Sequence, residues 1–158
     1  MRKIAVSIDN LTVYYGSTPA LKDVCLKVDE GDYLGIIGPN GGGKSTLLKA
    51  ILGLIPVAEG NVQIFDEVQK DSRTVIGYVP QFAALDKSFP ITLFEVVLTG
   101  RLRKKLTPFF RYSSHDKEIV HELLAKVGLA NLANRQIAEL SGGEFQKMLL
   151  ARALAVNP

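Results

Sequence analysis

The 158-residue chain has the length of one ordinary domain or of a piece of a larger one. Its 47% hydrophobic and 22% charged residues are typical of a globular protein with a core, and a net charge of +3 is too small to argue for nucleic acid. The single cysteine, Cys25, excludes an internal disulfide and fits a reducing compartment. No stretch approaches the roughly 20 apolar residues that span a bilayer, so we expect a cytoplasmic protein unless it docks on a membrane protein.

The N-terminal segment predicts an antiparallel β layer. Residues 4–8 and 11–15 are short β-prone runs, and residues 21–28 alternate apolar and polar side chains, as in a strand with one wet face. Tyr15 precedes Gly16. Its ring could stack on a base, although packing within the sheet explains an aromatic residue there equally well.

Residues 38–46 read Gly-Pro-Asn-Gly-Gly-Gly-Lys-Ser-Thr, which fits the G-x-x-x-x-G-K-S spacing of a phosphate-binding loop. The glycines let successive backbone N–H groups turn inward and form a nest for phosphate oxygens, and the helix that begins at Lys44 adds the positive end of its dipole. Lys44 is expected to reach the β- and γ-phosphates, and the Ser45 hydroxyl to coordinate Mg²⁺. The apolar run at residues 33–37 predicts a buried strand that feeds the loop, a context that an ordinary glycine-rich turn does not require.

The chain after the loop predicts a helix, two strands and a long irregular segment. The helix carries an apolar stripe and ends near Gly53. Residues 61–65 and 74–79 predict strands, and the segment from Gln81 to Phe94 has the irregular character of loops that carry function.

The next part of the chain predicts two helices separated by a basic and aromatic stretch. Thr92 and Glu95 form a capping box ahead of a helix at residues 93–99, and a second helix is predicted at residues 116–127. Between them, residues 101–111 interleave Arg and Lys with Leu and Phe. Contact with RNA or lipid headgroups is one interpretation of this stretch, and a solvated loop is the one that we favour.

A second motif, residues 140–146, reads Leu-Ser-Gly-Gly-Glu-Phe-Gln. Ser141 and Glu144 form another capping box, which predicts a helix running to about Val156. The two glycines leave the start of that helix open to approach. A free helix N-terminus with a serine hydroxyl and bare amides is a second phosphate-binding end.

Together the two motifs resemble the Walker A loop and the LSGGQ signature of an ABC transporter ATP-binding subunit, with Glu144 in place of the usual Gln. Gln81, which closes Tyr-Val-Pro-Gln, resembles the Q-loop, and Tyr15 resembles the adenine-stacking aromatic residue. The resemblance runs the whole length of the chain. It implies an α/β fold, a P-loop NTPase of the ABC type with an N-terminal antiparallel β layer and a helical subdomain.

The resemblance also implies a division of the chain and a set of ligands. Residues 1–158 would be the N-terminal part of one ATP-binding domain, with the β layer and P-loop core in residues 1–80, the Q-loop and helical subdomain in residues 81–140, and the signature helix in residues 141–158. The cofactors would be ATP and Mg²⁺. The residues assigned to ATP are Tyr15, Gly38, Asn40, Gly41, Gly42, Gly43, Lys44, Ser45, Thr46, Ser141, Gly142, Gly143 and Glu144; Lys44 and Gln81 are assigned to catalysis, and Ser45 and Gln81 to Mg²⁺.

The partners implied by the resemblance are a second copy of the subunit and transmembrane permease subunits, with no nucleic acid. Two copies would sandwich two ATP molecules, with Ser141 and Gly143 holding the γ-phosphate bound to the partner's Lys44. The subunit would lie peripherally on the inner face of the cell membrane. Residues 89–101 are similar to the branch that imports manganese, zinc or iron chelates, although no residue gives a physical reason for a metal substrate.

One departure from the family pattern concerns the end of the chain. Family members continue into an apolar strand that ends in Asp-Glu and lies in the middle of the parallel sheet. Residues 1–158 do not contain it, so we expect this chain to be inactive in hydrolysis, with the C-terminal part of the core absent. The alternatives to a transport ATPase subunit are a soluble ABC-type ATPase acting on DNA or ribosomes and a non-hydrolysing nucleotide-binding protein. The large insertions or tandem domains usual in the soluble class are not found in this sequence.

Overall fold

The computed structural model describes residues 2–65, 67–68, 76–81, 89–102 and 111–157. The chain divides into two units, residues 1–74 and residues 75–158. Each unit has a hydrophobic core of its own, one built on a β-sheet and the other on helices. No helix within the described residues is long and apolar enough to cross a membrane.

The first unit is built on a four-stranded antiparallel sheet with the strand order β2-β1-β3-β4. The two β-prone runs of the N-terminus form one continuous strand, which is irregular near Asn10, a residue with a φ of 50°. Tyr15 pairs with Thr18 across the hairpin turn that follows. The strands are β1 (Ile4–Tyr15), β2 (Thr18–Asp29), β3 (Glu59–Ile64) and β4 (Glu67–Val68).

One face of this sheet packs against helix α1 (Lys44–Ile51), the helix predicted after the glycine-rich loop. Along β2, Val24, Leu26 and Val28 are half-buried while Cys25 and Lys27 are exposed, which is the predicted alternation. The predicted antiparallel layer with one wet face is therefore present. The core of the unit consists of Ile8, Leu11, Val13, Leu21, Leu47, Ala50, Val62 and Ile64.

Two predicted strands do not form. Residues 33–37, expected to feed the loop as a buried strand, belong to no strand, and Tyr33 and Ile37 are 104% and 94% exposed. In the predicted strand at residues 74–79, the described residues 76–79 are likewise outside any strand, and residues 74–75 lie outside the described part. A strand of a parallel sheet needs hydrogen-bonded neighbours and cover on both faces. The described residues place no strand beside either segment, so both predictions are wrong for this structure.

The second unit is built from helices α2 (Leu93–Leu98), α3 (Ser114–Lys126) and α4 (Gly142–Ala155). Each begins with a capping box, in which the cap side chain accepts the amide of the third helical residue and that residue's carboxylate accepts the cap's N–H group. The boxes pair Thr92 with Glu95, Ser113 with Asp116, and Ser141 with Glu144. The first and third boxes confirm the sequence prediction, and the second, at Ser113, was not predicted.

The three helices bury their apolar faces against one another. Helix α3 ends just before Gly128, which has a φ of 72°, as its sequence predicts. Most of the irregular segment after Gln81 and most of the basic and aromatic stretch fall at residues 82–88 and 103–110, which lie outside the described residues. The core of the unit consists of Leu93, Val96, Val97, Leu98, Val120, Leu123, Leu124, Leu129, Ile137, Leu140, Met148, Leu149, Ala151 and Ala155.

A largely buried arginine joins the ends of α3 and α4. Arg101 follows α2 in a 3₁₀ turn, donates from Nε to Oδ1 of Asp116 at 3.0 Å, and donates from Nη1 to the carbonyl of Ala155 at 2.9 Å. Its neighbour Gly100 permits this close approach, since a Cβ there would lie 2.5 Å from the carbonyl oxygen of Arg152. The start of α3 and the end of α4, which carries the signature at its other end, are therefore fixed to the same turn.

Candidate nucleotide-binding site

The glycine-rich loop leads directly into α1, as its sequence predicts. Gly43 is the N-cap of the helix and accepts the N–H group of Leu47 at 2.8 Å, while Gly42 closes a turn by donating to the Pro39 carbonyl at 3.2 Å. Gly41 has a φ of 82°, in the left-handed region that favours glycine. The loop therefore turns on glycines in the left-handed region immediately ahead of the N-terminus of α1, a backbone conformation compatible with an anion-binding nest.

Gly43 also decides how closely the loop approaches the sheet. It has a φ of 80°, and a Cβ on this residue would lie 2.7 Å from Cδ2 of Leu21 and 2.8 Å from the carbonyl oxygen of Ala20. A side chain would have to displace both β2 and the helix start. Glycine at this position therefore has a geometric cause in the described structure.

The Lys44 ammonium lies over the loop. Its Nζ donates to the carbonyl oxygens of Gly38 at 2.9 Å and Pro39 at 2.6 Å. An ammonium group has three donors; two of them fix the side chain across the loop, and within the described part of the chain no acceptor receives the third. The positive charge is thus held at the position where the backbone amides and the helix dipole also favour negative charge.

The other predicted residues of the loop differ in exposure. Ser45 is exposed at the start of α1 and Thr46 is buried at 8% exposure, while Asn40 lies in the exposed part of the loop. A serine hydroxyl beside bound phosphates fits Mg²⁺, which takes oxygen ligands from water, phosphate and a few side chains. Within the described residues, no group of His, Cys, Asp and Glu could hold a metal ion by itself.

Tyr15 ends β1 in the same unit as the loop, and the residue is 53% exposed. That exposure leaves a face available for stacking on a base. Gln81 is exposed and belongs to the second unit, outside any helix or strand. The structure therefore holds Tyr15 and the loop in one unit and Gln81 in the other.

The signature motif forms the N-terminus of α4 in the second unit. The Ser141 N–H and hydroxyl groups each donate to Oε2 of Glu144 at 2.8 Å, and the Ser141 oxygen accepts the amide of Glu144 at 3.4 Å. These bonds, first from the backbone and then from the side chain of Ser141, hold the pKa of Glu144 below its ordinary value. A Cβ on Gly142 or Gly143 would meet nothing within 4 Å, so the surface beside the cap is open.

Sequence reasoning missed that the Glu144 carboxylate accepts the hydroxyl hydrogen of Ser141. The capping box itself is visible in the S-x-x-E spacing, but the spacing does not show which acceptor receives the hydroxyl hydrogen. The 2.8 Å contact does show it, since an ionised carboxylate can only accept. The hydroxyl hydrogen of Ser141 is therefore already used within the protein.

A glycine-rich loop, an ammonium group over it and a helix N-terminus behind it define a nucleotide-binding protein of the P-loop class. Residues 21–158 match the ABC transporter family. The chain belongs to that family, and its fold is that of an ABC-type P-loop ATPase.

Individual relatives agree with this assignment. The chain is 49% identical over 152 residues to the manganese transport system ATP-binding protein MntB of Bacillus subtilis, covering 96% of this chain and 60% of the relative. It is 46% identical over 150 residues to the zinc transport system ATP-binding protein TroB of Treponema pallidum, covering 95% of this chain and 56% of the relative. The solved structure of a nucleotide-free ATP-binding cassette from an ABC transporter has a TM-score of 0.82 and 28% identity, covering 98% of this chain and 66% of that one. The chain thus spans 60% or less of the length of these two curated relatives.

Proposed function

We propose that this chain is part of the ATP-binding subunit of an ABC transporter, which couples ATP binding and hydrolysis to the transport of a metal ion or metal chelate. The observation that carries the proposal is the Lys44 ammonium held over the glycine-rich loop at the start of α1. The metal substrate is supported by the names of the relatives, which are ATP-binding proteins of manganese and zinc transport systems.

The residues of the first unit bind one nucleotide. The amides of the loop and the Lys44 ammonium bind the β- and γ-phosphates, and Tyr15 stacks on the adenine. Mg²⁺, when bound, would neutralise charge on the phosphates, with Ser45 as its ligand in this unit. This binding requires no residue of the signature, so a single copy of the chain is sufficient for it.

Pairing of two copies completes each site. The Ser141 hydroxyl and the amides of Gly142 and Gly143 bind the γ-phosphate held by the partner's Lys44. Support for this role comes from the exposed N-terminus of α4, whose glycines leave room for a ligand. ATP then joins the two copies, and its hydrolysis separates them and moves the permease subunits on which the copies sit.

Hydrolysis requires more than phosphate binding. A water molecule must be oriented for attack on the γ-phosphate, and neither Lys44 nor Gln81, the residues assigned to catalysis, is assigned that task. We propose that the 158-residue chain alone binds ATP without hydrolysing it, and that the protein encoded by the complete reading frame is an ATPase. Co-purification with a permease subunit would distinguish it from a soluble ABC-type ATPase.

The experiment that tests the proposal separates ATP binding from ATP-dependent pairing in the complete protein. Lys44→Ala should abolish both, whereas Ser141→Arg should spare binding of a fluorescent ATP analogue and abolish pairing in sedimentation. Asn131→Arg, which adds the same side chain at an exposed turn of the second unit, is the matched control and should behave as wild type. Normal pairing of the Ser141→Arg variant would refute the proposed site.

A further inference from the structure

The N-terminus of α4 differs from that of α2, although their capping boxes are alike. In both boxes, the cap's N–H and hydroxyl groups each donate to the glutamate carboxylate at 2.8 Å. At α2 the next two amides are used by the protein: Leu93 donates to the Arg135 carbonyl and Phe94 to the Ala133 carbonyl, each at 2.9 Å. Among the described residues, no acceptor receives the amides of Gly142 and Gly143 at α4.

The free amides of α4 and the Ser141 hydroxyl form an incomplete anion site. A serine hydroxyl has one hydrogen to donate, and in this structure that hydrogen goes to Oε2 of Glu144. Its remaining acceptor capacity cannot bind a phosphate oxygen, which is itself an acceptor. Ser141 can therefore donate to a phosphate only after the contact with Glu144 is broken.

The negative charge of Glu144 also opposes phosphate binding at the N-terminus of α4 while the carboxylate is bound to Ser141. The pKa of Glu144 is held below its ordinary value by its bonds to Ser141 and by the nearby positive charges of Arg135 and Lys147, so the carboxylate is ionised at neutral pH. A phosphate arriving at the amides of Gly142 and Gly143 would meet this negative charge within the first turn of the helix. Lys147, three residues further along α4, lies on the same side of the helix and can receive the displaced carboxylate.

We propose that Glu144 is a positioning residue. Its carboxylate keeps the Ser141 hydroxyl hydrogen-bonded and must be displaced by the γ-phosphate of the partner copy's ATP. The displacement sets the ATP concentration at which two copies pair. This inference rests on the proposed function, since it assumes that Ser141 binds that phosphate. With Glu144, pairing needs a higher ATP concentration than it would with a neutral Gln at the same position, because Gln has no charge to repel the phosphate.

The test compares glutamine substitutions at two capping boxes in the protein encoded by the complete reading frame. Glu144→Gln and Glu95→Gln remove the same charge from the same kind of box, but only the first box faces free amides. Pairing is followed by sedimentation across a range of ATP concentrations, and ATP turnover is measured with the membrane partner. Glu144→Asp keeps both the charge and a box, as the Ser113 and Asp116 pair shows that Asp can form one.

We expect Glu144→Gln to lower the ATP concentration for half-pairing, and the KM for ATP, by about two- to fivefold, the size of one charge interaction at a helix end. The turnover number should change less than KM. Higher salt should narrow the difference between wild type and Glu144→Gln, because it screens the repulsion. Glu95→Gln should follow wild type at every salt concentration, and Glu144→Asp, which keeps the charge, should shift half-pairing and KM less than Glu144→Gln does.

Three results would overturn the inference: equal shifts in Glu144→Gln and Glu95→Gln, a higher KM in Glu144→Gln, or a Glu144→Asp variant that behaves like Glu144→Gln. The Ser141→Arg variant separates this failure from failure of the proposed function. If Ser141→Arg pairs normally, the proposed site itself is wrong and the inference falls with it. If Ser141→Arg fails to pair while Glu144→Gln matches Glu95→Gln, only the role of Glu144 is wrong.

Discussion

Replacement of Asp116 by Asn should destabilise the helical unit by roughly 2 kcal/mol. Asp116 is 6% exposed and accepts three hydrogen bonds, from the hydroxyl of Ser113 at 2.7 Å, the N–H of Ser113 at 3.0 Å and Nε of Arg101 at 3.0 Å. The Ser113 hydroxyl, then the Ser113 N–H and then Arg101 lower the pKa of Asp116 from its ordinary 3.8 to about 2. That difference corresponds to roughly 2 kcal/mol of stability at neutral pH.

The lowered pKa of Asp116 also determines how the stability of the helical unit depends on pH. Because the folded pKa lies below the unfolded one, the stabilisation is fully present above about pH 5 and is lost as the pH falls toward 2. An Asn side chain has one acceptor and one donor end, so in either orientation it loses the bonds to Ser113 or the bond to Arg101. Asp116→Asn should therefore be less stable at neutral pH and should lack this acid-dependent loss.

Urea denaturation followed by helical circular dichroism at pH 7 and at pH 3 measures both effects. Glu118→Gln is the control, because it removes a charge from the first turns of the same helix at a side chain that is 71% exposed. We expect the control to change stability by less than about 0.5 kcal/mol. An Asp116→Asn variant as stable as the control, or with the same acid sensitivity as wild type, would show that the contacts of Asp116 with Ser113 and Arg101 do not stabilise the helical unit.

Three further predictions concern glycines and hydrolysis. Gly100→Ala should cost about 1–3 kcal/mol by overpacking, because its Cβ would lie 2.5 Å from the Arg152 carbonyl oxygen; unchanged unfolding would contradict the close packing there. Gly43→Ala should weaken ATP binding by about tenfold or more through strain and the clash with β2, whereas Gly35→Ala, with nothing within 4 Å, should bind normally. The 158-residue chain should release no phosphate above background, and turnover that disappears in Lys44→Ala would reveal a water-orienting residue that we have not assigned.

Local sequence patterns predicted the elements whose causes are local. The S-x-x-E and T-x-x-E spacings gave the starts of α2 and α4, because both partners of a capping box lie within four residues. The glycine-rich loop and α1 followed from one motif, and the alternation along β2 followed from the difference between its two faces.

Patterns failed where a residue depends on distant partners. The apolar run at residues 33–37 has the composition of a buried strand, but a strand also needs neighbours that the run cannot specify. Arg101 and Asp116 are 15 residues apart, and Arg101 and Ala155 are 54 apart, so their junction has no sequence spacing to reveal it. The site was predicted as two motifs, yet the state of the Ser141 hydroxyl became visible only from its contact with Glu144.

Titration of a fluorescent ATP analogue against two lysine variants of α1 tests whether the phosphates of ATP bind in the glycine-rich loop beside Lys44. Lys44→Ala removes the ammonium that lies 2.9 Å from the Gly38 carbonyl, whereas Lys49→Ala removes an exposed lysine from the last turn of the same helix. Both proteins should keep the circular dichroism spectrum of wild type. Lys44→Ala should lose binding, and Lys49→Ala should retain the wild-type affinity. Equal affinities of Lys44→Ala and wild type would contradict the assignment of the loop.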